Sequence, residues 1–564
     1  MKMFLKIFRS VPALSVFINV FFLLLYIALS NCKYPSMDDF FMSSILTGAY
    51  GSEYDVHLYF VNVLYGFFLK PFYFIFPDVG WYYIFEVAEV FAAFTMLTYL
   101  LLTKVGMKIG AMLSVLLLVC LSPAFYFQVS FTQNAALLSA VGFTLMAFAE
   151  IHQKKLLISG IVFSVAGFVM RSDAFLLGIP CLGILLLSRW MCLKTFPVVN
   201  FICVLFSLIF VFAAFRLDRS FYQEGEWRYY AEYQGPRSIF GDGQFYDRDA
   251  TLDEIEERGM YGMDYTLLTR WVFNDTENFT KDSLDKFIRI VDRNRFAVVP
   301  TKMPFALARH LAGSFQDTRT WPWIVLCFLA AAYLPRKLKL VPWASLAYIV
   351  MAYSYLLMKN RVVYHVESGV WIYAMMPIVA LLTKTCLEKA EAKMKYAKSF
   401  AVLMILLYGI GYWGVPGRLK AETFQESPDK RWIAFLEYEE KNPDTVFFLD
   451  FSAYNFFGMY FNKAYRAVSP GRFDHVIPLG YWNVNLPGMK RTMKNLGVDN
   501  PMKSLAKENV LVVQYDNPML LVKYCRHHYQ QNLNYDNLNW TSARGKVVLD
   551  FEVSKYYNRG SRDE

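Results

Sequence analysis

Apolar runs of about twenty residues, repeated along the first three quarters of the chain, leave it few folds to choose from. A helix of that length crosses the hydrocarbon layer of a bilayer with every backbone group bonded internally. Eleven such segments are predicted: 11–30, 81–103, 109–127, 131–150, 156–170, 174–190, 196–215, 321–334, 340–358, 362–383 and 399–415. Composition agrees, since only 18% of the 564 residues are charged and 56% are hydrophobic, whereas soluble chains carry roughly a quarter charged. The segment 11–30 follows a basic start and imitates a signal peptide. It is too long for a signal's apolar region and is predicted as an uncleaved first span.

The net charge of +10 resides in short basic clusters between the apolar runs. That is topological information, not a nucleic-acid footprint, and no nucleic-acid partner is expected. With the N-terminus inside, the inner turns collect Lys2, Lys6, Arg9, Lys104, Lys108, Lys154, Lys155, Arg189, Lys194, Arg336, Lys337 and Lys339, and then five lysines between Lys384 and Lys398. The short outer loops hold only Lys33, Lys70, Arg171, Lys359 and Arg361. The positive-inside rule therefore predicts a multi-pass protein of the cytoplasmic (inner or plasma) membrane, N-terminus inside and C-terminus outside.

Three parts then lie outside: a first loop 31–80, a long loop 216–320 and the tail 416–564. The long loop is predicted to hold helical pieces at Asp264–Phe273 and Lys281–Val291 and an amphipathic, surface-lying Phe296–Ala312. In the tail, Val446–Leu449, Val510–Val513 and Val547–Leu549 are predicted as buried strands, with helical stretches at 428–440 and 518–529. The expected organisation is a membrane module, 1–415, followed by a small extracytoplasmic α/β domain, 416–564.

The sharpest local signal is Pro35-Ser36-Met37-Asp38-Asp39-Phe40-Phe41, just past the first span. Paired carboxylates near a membrane face are costly to desolvate, and their like charges raise the pKa of one of them. That suits a general base or a cation site. The plainer reading is an N-cap for a helix Phe40–Leu46, and the two readings are compatible. His57 opens an apolar stretch, Leu58 to Phe76, interrupted by Gly66 and Pro71 and predicted as interfacial helices. It is either a substrate or carboxylate partner or a plain surface histidine. Glu86 and Glu89 share one face of the second span, in its outer third, where ionisable groups face the bundle interior. A structural partner such as Arg171 is the alternative.

Arg171-Ser172-Asp173 lies at the outer junction of spans five and six. Lys359-Asn360-Arg361, with Tyr364, His365 and Glu367, lies at that of spans nine and ten. These cations break the charge asymmetry. Their retention outside predicts an anionic ligand at the outer leaflet, against the alternative of snorkelling to headgroups. An aromatic stretch, Trp227 to Tyr233, suits sugar rings and lipid interfaces alike. No Walker loop, no GxGxxG between strand and helix and no HExxH occurs, and the inner loops are too short for a nucleotide site.

The arrangement resembles the GT-C superfamily of membrane glycosyltransferases, which use polyprenyl-phosphate-linked sugars. The shared features are an N-in first span, the acidic pair Asp38-Asp39 in the first outer loop, interfacial helices after it, a multi-span bundle and an outer C-terminal domain. The phrases Ser130-Phe131-Thr132-Gln133-Asn134-Ala135-Ala136 and Val169-Met170-Arg171-Ser172-Asp173-Ala174 are similar to those of uncharacterised bacterial members. The pair here is followed by Phe40, where many members have Asp-Glu or Asp-Asp-Gly, so no subfamily is assigned. The resemblance implies an inverting hexosyl- or pentosyltransferase of cell-envelope polysaccharide biosynthesis. Arg171, Lys359, Arg361 and His365 would hold the donor phosphate, and Asp38 or Asp39 would deprotonate a hydroxyl of a glycan, lipid or protein acceptor. His57, Glu86, Glu89 and Asp173 would support the site. A divalent cation (Mg or Mn) at Asp38 and Asp39 is implied for some members and not for others. The rival readings are a flippase or transporter of lipid-linked saccharides, which would show repeated halves, and a surface-polysaccharide polymerase or ligase.

Overall fold

A computed structural model describes residues 10–30, 32–34, 36–194, 197–243, 245–382, 437–451, 453, 463–514, 518–538 and 552–558. Within them, seven helices are long and apolar enough to cross a membrane. They are Val11–Leu29, Trp81–Lys104, Met107–Tyr126, Phe131–Phe148, Ser172–Leu193, Val198–Phe221 and Leu340–Met358. Three further predicted spans are also helices, at Lys154–Met170, Trp321–Tyr333 and Tyr364–Leu381. The first two of these have 17 and 13 residues, short of the roughly 20 that a straight crossing needs. The expected span 399–415 and the expected strand Val547–Leu549 lie outside the described residues. The chain is a polytopic α-helical membrane protein with a small C-terminal sheet region.

Hydropathy makes the helices, and residue size decides their neighbours. Phe131–Phe148 is buried along its whole length, surrounded by Lys154–Met170, Tyr364–Leu381, Ser172–Leu193 and Trp81–Lys104. Its small residues Ala135, Ala136, Ser139, Ala140 and Gly142 permit that closeness. At its carboxyl end the Arg189 guanidinium donates to the Ala147 carbonyl at 2.9 Å, and the Asn200 amide to those of Met146 and Ala149, so the orphan carbonyls are served. The outer helices turn large apolar residues outward: Phe206, Ile209, Phe210 and Phe212 on Val198–Phe221, and Phe21 and Leu24 on Val11–Leu29. Such continuous exposed apolar surface needs a non-aqueous surround. Gly106, at φ +111°, makes the tight turn between Trp81–Lys104 and Met107–Tyr126.

The loops are built of short helices. In the first, the acidic pair does not cap a helix beginning at Phe40. The helix is Met37–Leu46 with Ser36 at the N-cap, so Asp38 and Asp39 stand in its first turn, where negative charge meets the positive end of the helix dipole. Val63–Ile75 follows, a 13-residue apolar helix exposing Phe67, Phe68, Phe74 and Ile75. The long loop forms Gly262–Thr269, Lys281–Val291 and Met303–Ser314 near the predicted places, and also Gly225–Gly241 and Arg248–Glu257, which were not predicted. Phe305 on Met303–Ser314 is 82% exposed, while His310 Nε2 on the same helix meets Glu367 Oε1 at 2.8 Å.

The C-terminal region carries strands β1 (Val446–Leu449), β2 (Val476–Pro478), β3 (Val510–Gln514), β4 (Leu533–Leu538) and β5 (Glu552–Asn558) in the order β2-β1-β3-β5-β4. β1 lies parallel to both β2 and β3, with Phe447 opposite Val476 and Leu511; β3, β5 and β4 pair antiparallel. β1 to β3 are buried at every residue, as strands covered on both faces should be. Helices Pro487–Asn495 and Met519–Tyr529 accompany them. The region is stitched to both the first loop and the long loop. Asp474 accepts from the Gly51 amide at 2.6 Å and the Ser52 hydroxyl at 2.7 Å, and backbone bridges join Val79 to Arg466 and Val272 to Gly480.

Candidate active site

The two carboxylates, adjacent in sequence, have separate environments. Asp39 points into the protein and is fully buried. Its Oδ2 accepts from the Ser36 hydroxyl at 2.8 Å, and its Oδ1 from the Tyr82 hydroxyl at 3.2 Å and the Phe131 amide at 3.1 Å. The Phe131 amide is free to donate because it lies in the first turn of its own helix. Burial pushes the Asp39 carboxyl up to about 7, against the pull of the Ser36 and Phe131 hydrogen bonds and with a further push from Asp38. Glu86 lies against it. Neither Glu86 carboxyl oxygen meets a donor among the described residues. Glu89, one turn on, faces Tyr65.

Asp38 is half-buried and turns the other way. Its Oδ1 accepts from the Tyr481 hydroxyl at 2.5 Å and the Trp482 indole at 2.9 Å. Burial raises its pKa, opposed by these two hydrogen bonds and by the nearby Arg171 guanidinium.

Arg171 occupies the extended residue between helices Lys154–Met170 and Ser172–Leu193, at φ −162°. Its guanidinium lies 4.9 Å from the Phe131 ring centre and 5.2 Å from that of Phe60, within cation–π range. Asp173 is 3.7 Å away. Arg171 and Asp173 line a cavity of about 570 Å³ together with Lys359, Arg361 and His365. Five predicted residues from two separate interhelical junctions thus share one space. The long loop adds Ser238, Asp242 and Arg295 to the lining. Asp242 Oδ2 meets Arg361 at 2.7 Å and Arg237 at 3.7 Å.

From there a chain of contacts returns to Asp38. Arg237 Nε donates to Gln234 Oε1 at 2.6 Å, Gln234 Nε2 to the Trp482 carbonyl at 2.7 Å, and the Trp482 indole to Asp38. The cavity and the carboxylate are therefore two ends of one polar network.

His57 is placed apart from both. Its Nδ1 meets Asp55 at 2.6 Å, and its ring stacks on Trp227 at 4.0 Å between centres. It packs the first loop against the second. Of the pair, both Asp39 oxygens and Asp38 Oδ1 already accept hydrogen bonds, which leaves Asp38 Oδ2 as the oxygen open to the implied divalent cation. No group of three or more His, Cys, Asp or Glu side chains among the described residues is arranged to hold a metal ion.

Sequence reasoning missed Tyr481, Trp482, Arg237, Asp242 and Arg295. The first two stand 443 and 444 residues from Asp38, and no local pattern marks them; Gly480 before two aromatic residues is the faint signal available. No protein-family model matches the chain, and no curated protein or solved structure matches it either.

Proposed function

We propose that the chain is an inverting glycosyltransferase that moves a hexose or pentose from a polyprenyl-phosphate donor to an acceptor hydroxyl at the outer face of the cytoplasmic membrane. The observation that carries this reading is the cavity lined by Arg171, Arg295, Lys359 and Arg361, with Arg171 also acting on the half-buried carboxylate of Asp38. Anion-binding cations beside a general base are what transfer from a phosphate ester requires. The topology that goes with it has about eleven spans, the N-terminus inside and the C-terminal region outside.

The donor phosphate occupies the cavity, with its lipid chain lying among the exposed apolar side chains. Asp38 accepts the acceptor's hydroxyl proton as that oxygen attacks the anomeric carbon. The bond from that carbon to the phosphate oxygen breaks, and the phosphate leaves with the electron pair, its charge met by Arg171, Lys359 and Arg361. One base and one displacement give inversion. Asp38 is the base in preference to Asp39, whose oxygens are occupied by Ser36, Tyr82 and Phe131 in a fully buried setting. No step is assigned to a metal.

The test is transfer from a labelled polyprenyl-phosphate sugar by the purified protein in lipid nanodiscs. Asp38→Asn should lower turnover by at least about a hundredfold, in line with the loss of a general base, while donor binding persists. Full activity of Asp38→Asn would overturn the assignment.

A further inference from the structure

We infer that Tyr481 and Trp482 are positioning residues for Asp38: they hold its Oδ1 from the C-terminal region and leave Oδ2 to take the acceptor's proton. This rests on the glycosyl-transfer reading above. The hydroxyl of Tyr481 and the indole of Trp482 reach the same oxygen, at 2.5 and 2.9 Å. No described donor meets Oδ2. A carboxylate fixed in this way presents one oxygen in one orientation, which is what general-base transfer asks of it.

The segment that carries the two donors is held in place by features that packing alone does not need. It follows β2 directly, at the carboxyl ends of the parallel strands, the edge at which open parallel sheets bind ligands. Gly480 lies so close to the long loop that a Cβ there would stand 1.4 Å from the Trp271 carbonyl oxygen. Tyr481, Trp271 and Tyr59 have φ of +81°, +65° and +63°. Left-handed backbone is unfavourable for aromatic residues, and here the three meet around Asp38's donors. The Trp271 and Tyr481 rings are 5.6 Å apart and those of Tyr59 and Trp482 6.1 Å. The Trp482 carbonyl is itself fixed by the Tyr230 hydroxyl at 3.1 Å and by Gln234. Strained residues persist only where their surroundings over-determine them, and they cluster at functional sites.

The acceptor's proton passes to Asp38 Oδ2 as the new glycosidic bond forms, and the leaving phosphate keeps the electrons of the broken bond. Tyr481 and Trp482 keep their own protons throughout. The other charged groups facing Asp38 are Arg171, Asp242 and Asp39; all are left unchanged in the test.

The experiment is the pH profile of kcat/KM for sugar transfer by the full-length protein in nanodiscs. Tyr481→Phe removes one donor to the carboxylate and keeps the ring. Its acid limb should move up by about one pH unit, giving about a tenfold loss below the limb and partial recovery at high pH, with KM for the donor little changed. Incorporation of 3-fluorotyrosine at 481, nearly the same size but a stronger donor, should move the limb down, and it guards against a Phe variant that does not fold. An unmoved limb in the fluorinated protein overturns the inference. If Asp38→Asn keeps full activity, the transfer reading itself fails; if Asp38→Asn is inactive while the limb stays fixed, only the positioning role fails.

Discussion

Burial acts on Asp39 more strongly than any neighbour does, and it carries the carboxyl from an ordinary 3.8 to about 7. Across that interval the folded chain holds a proton that the unfolded chain has lost, so stability falls as pH rises from about 4 to about 7. The thermal midpoint in detergent should therefore be higher at pH 5 than at pH 8. Asp39→Asn, which cannot ionise, should flatten the difference by a few degrees. An Asn variant with the parent's pH dependence would contradict the environment described for Asp39. Single residues were legible in the sequence where they broke a rule. Arg171, Lys359 and Arg361 are cations on the side that the proposed topology disfavours for them, and Asp38-Asp39 are charges just past an apolar span. Tyr481, Trp482 and Arg237 broke no rule, because a tyrosine, a tryptophan or an arginine outside the apolar spans is ordinary until its contacts are known.

Among elements, the apolar helices and the strands β1 and β3 were readable from periodicity and from runs of β-branched and aromatic residues. β2 has only three residues and β4 is Leu-Asn-Tyr-Asp-Asn-Leu; each is a strand by virtue of its neighbours rather than its composition. The same holds for the loop before Lys281–Val291. There Asp275 accepts from the hydroxyls of Tyr524, at 2.7 Å, and Tyr529, from Asn500 and from the amides of Glu277 and Asn278. Burial raises its pKa, but these donors outweigh burial and hold the carboxyl below the usual range. The stability it contributes is present at neutral pH and is lost only in acid. Asp275→Ala should cost about 3 kcal/mol and release the long loop from helix Met519–Tyr529. Faster amide exchange across 273–279 and 519–529, with the membrane helices unaffected, is the expected result; uniform exchange throughout the chain would count against a local knot.

For the whole molecule, the proposed arrangement across the bilayer rests on charge and is open to chemical labelling. A cysteine replacing the exposed Arg526 should react with an impermeant maleimide on intact cells. One replacing the exposed Lys155 should react only after permeabilisation. The reverse pattern would invert the proposed topology. By itself the sequence determined that the chain is a helical membrane protein, because span length and hydropathy are local, additive properties. Tertiary structure alone decided that Arg171, Lys359 and Arg361 share a cavity, that Asp38 and Asp39 live in different surroundings, and that the C-terminal region reaches back to hold Asp38. Those depend on contacts between separate elements, up to 444 positions apart for Asp38 and Trp482, and no local pattern encodes a distance.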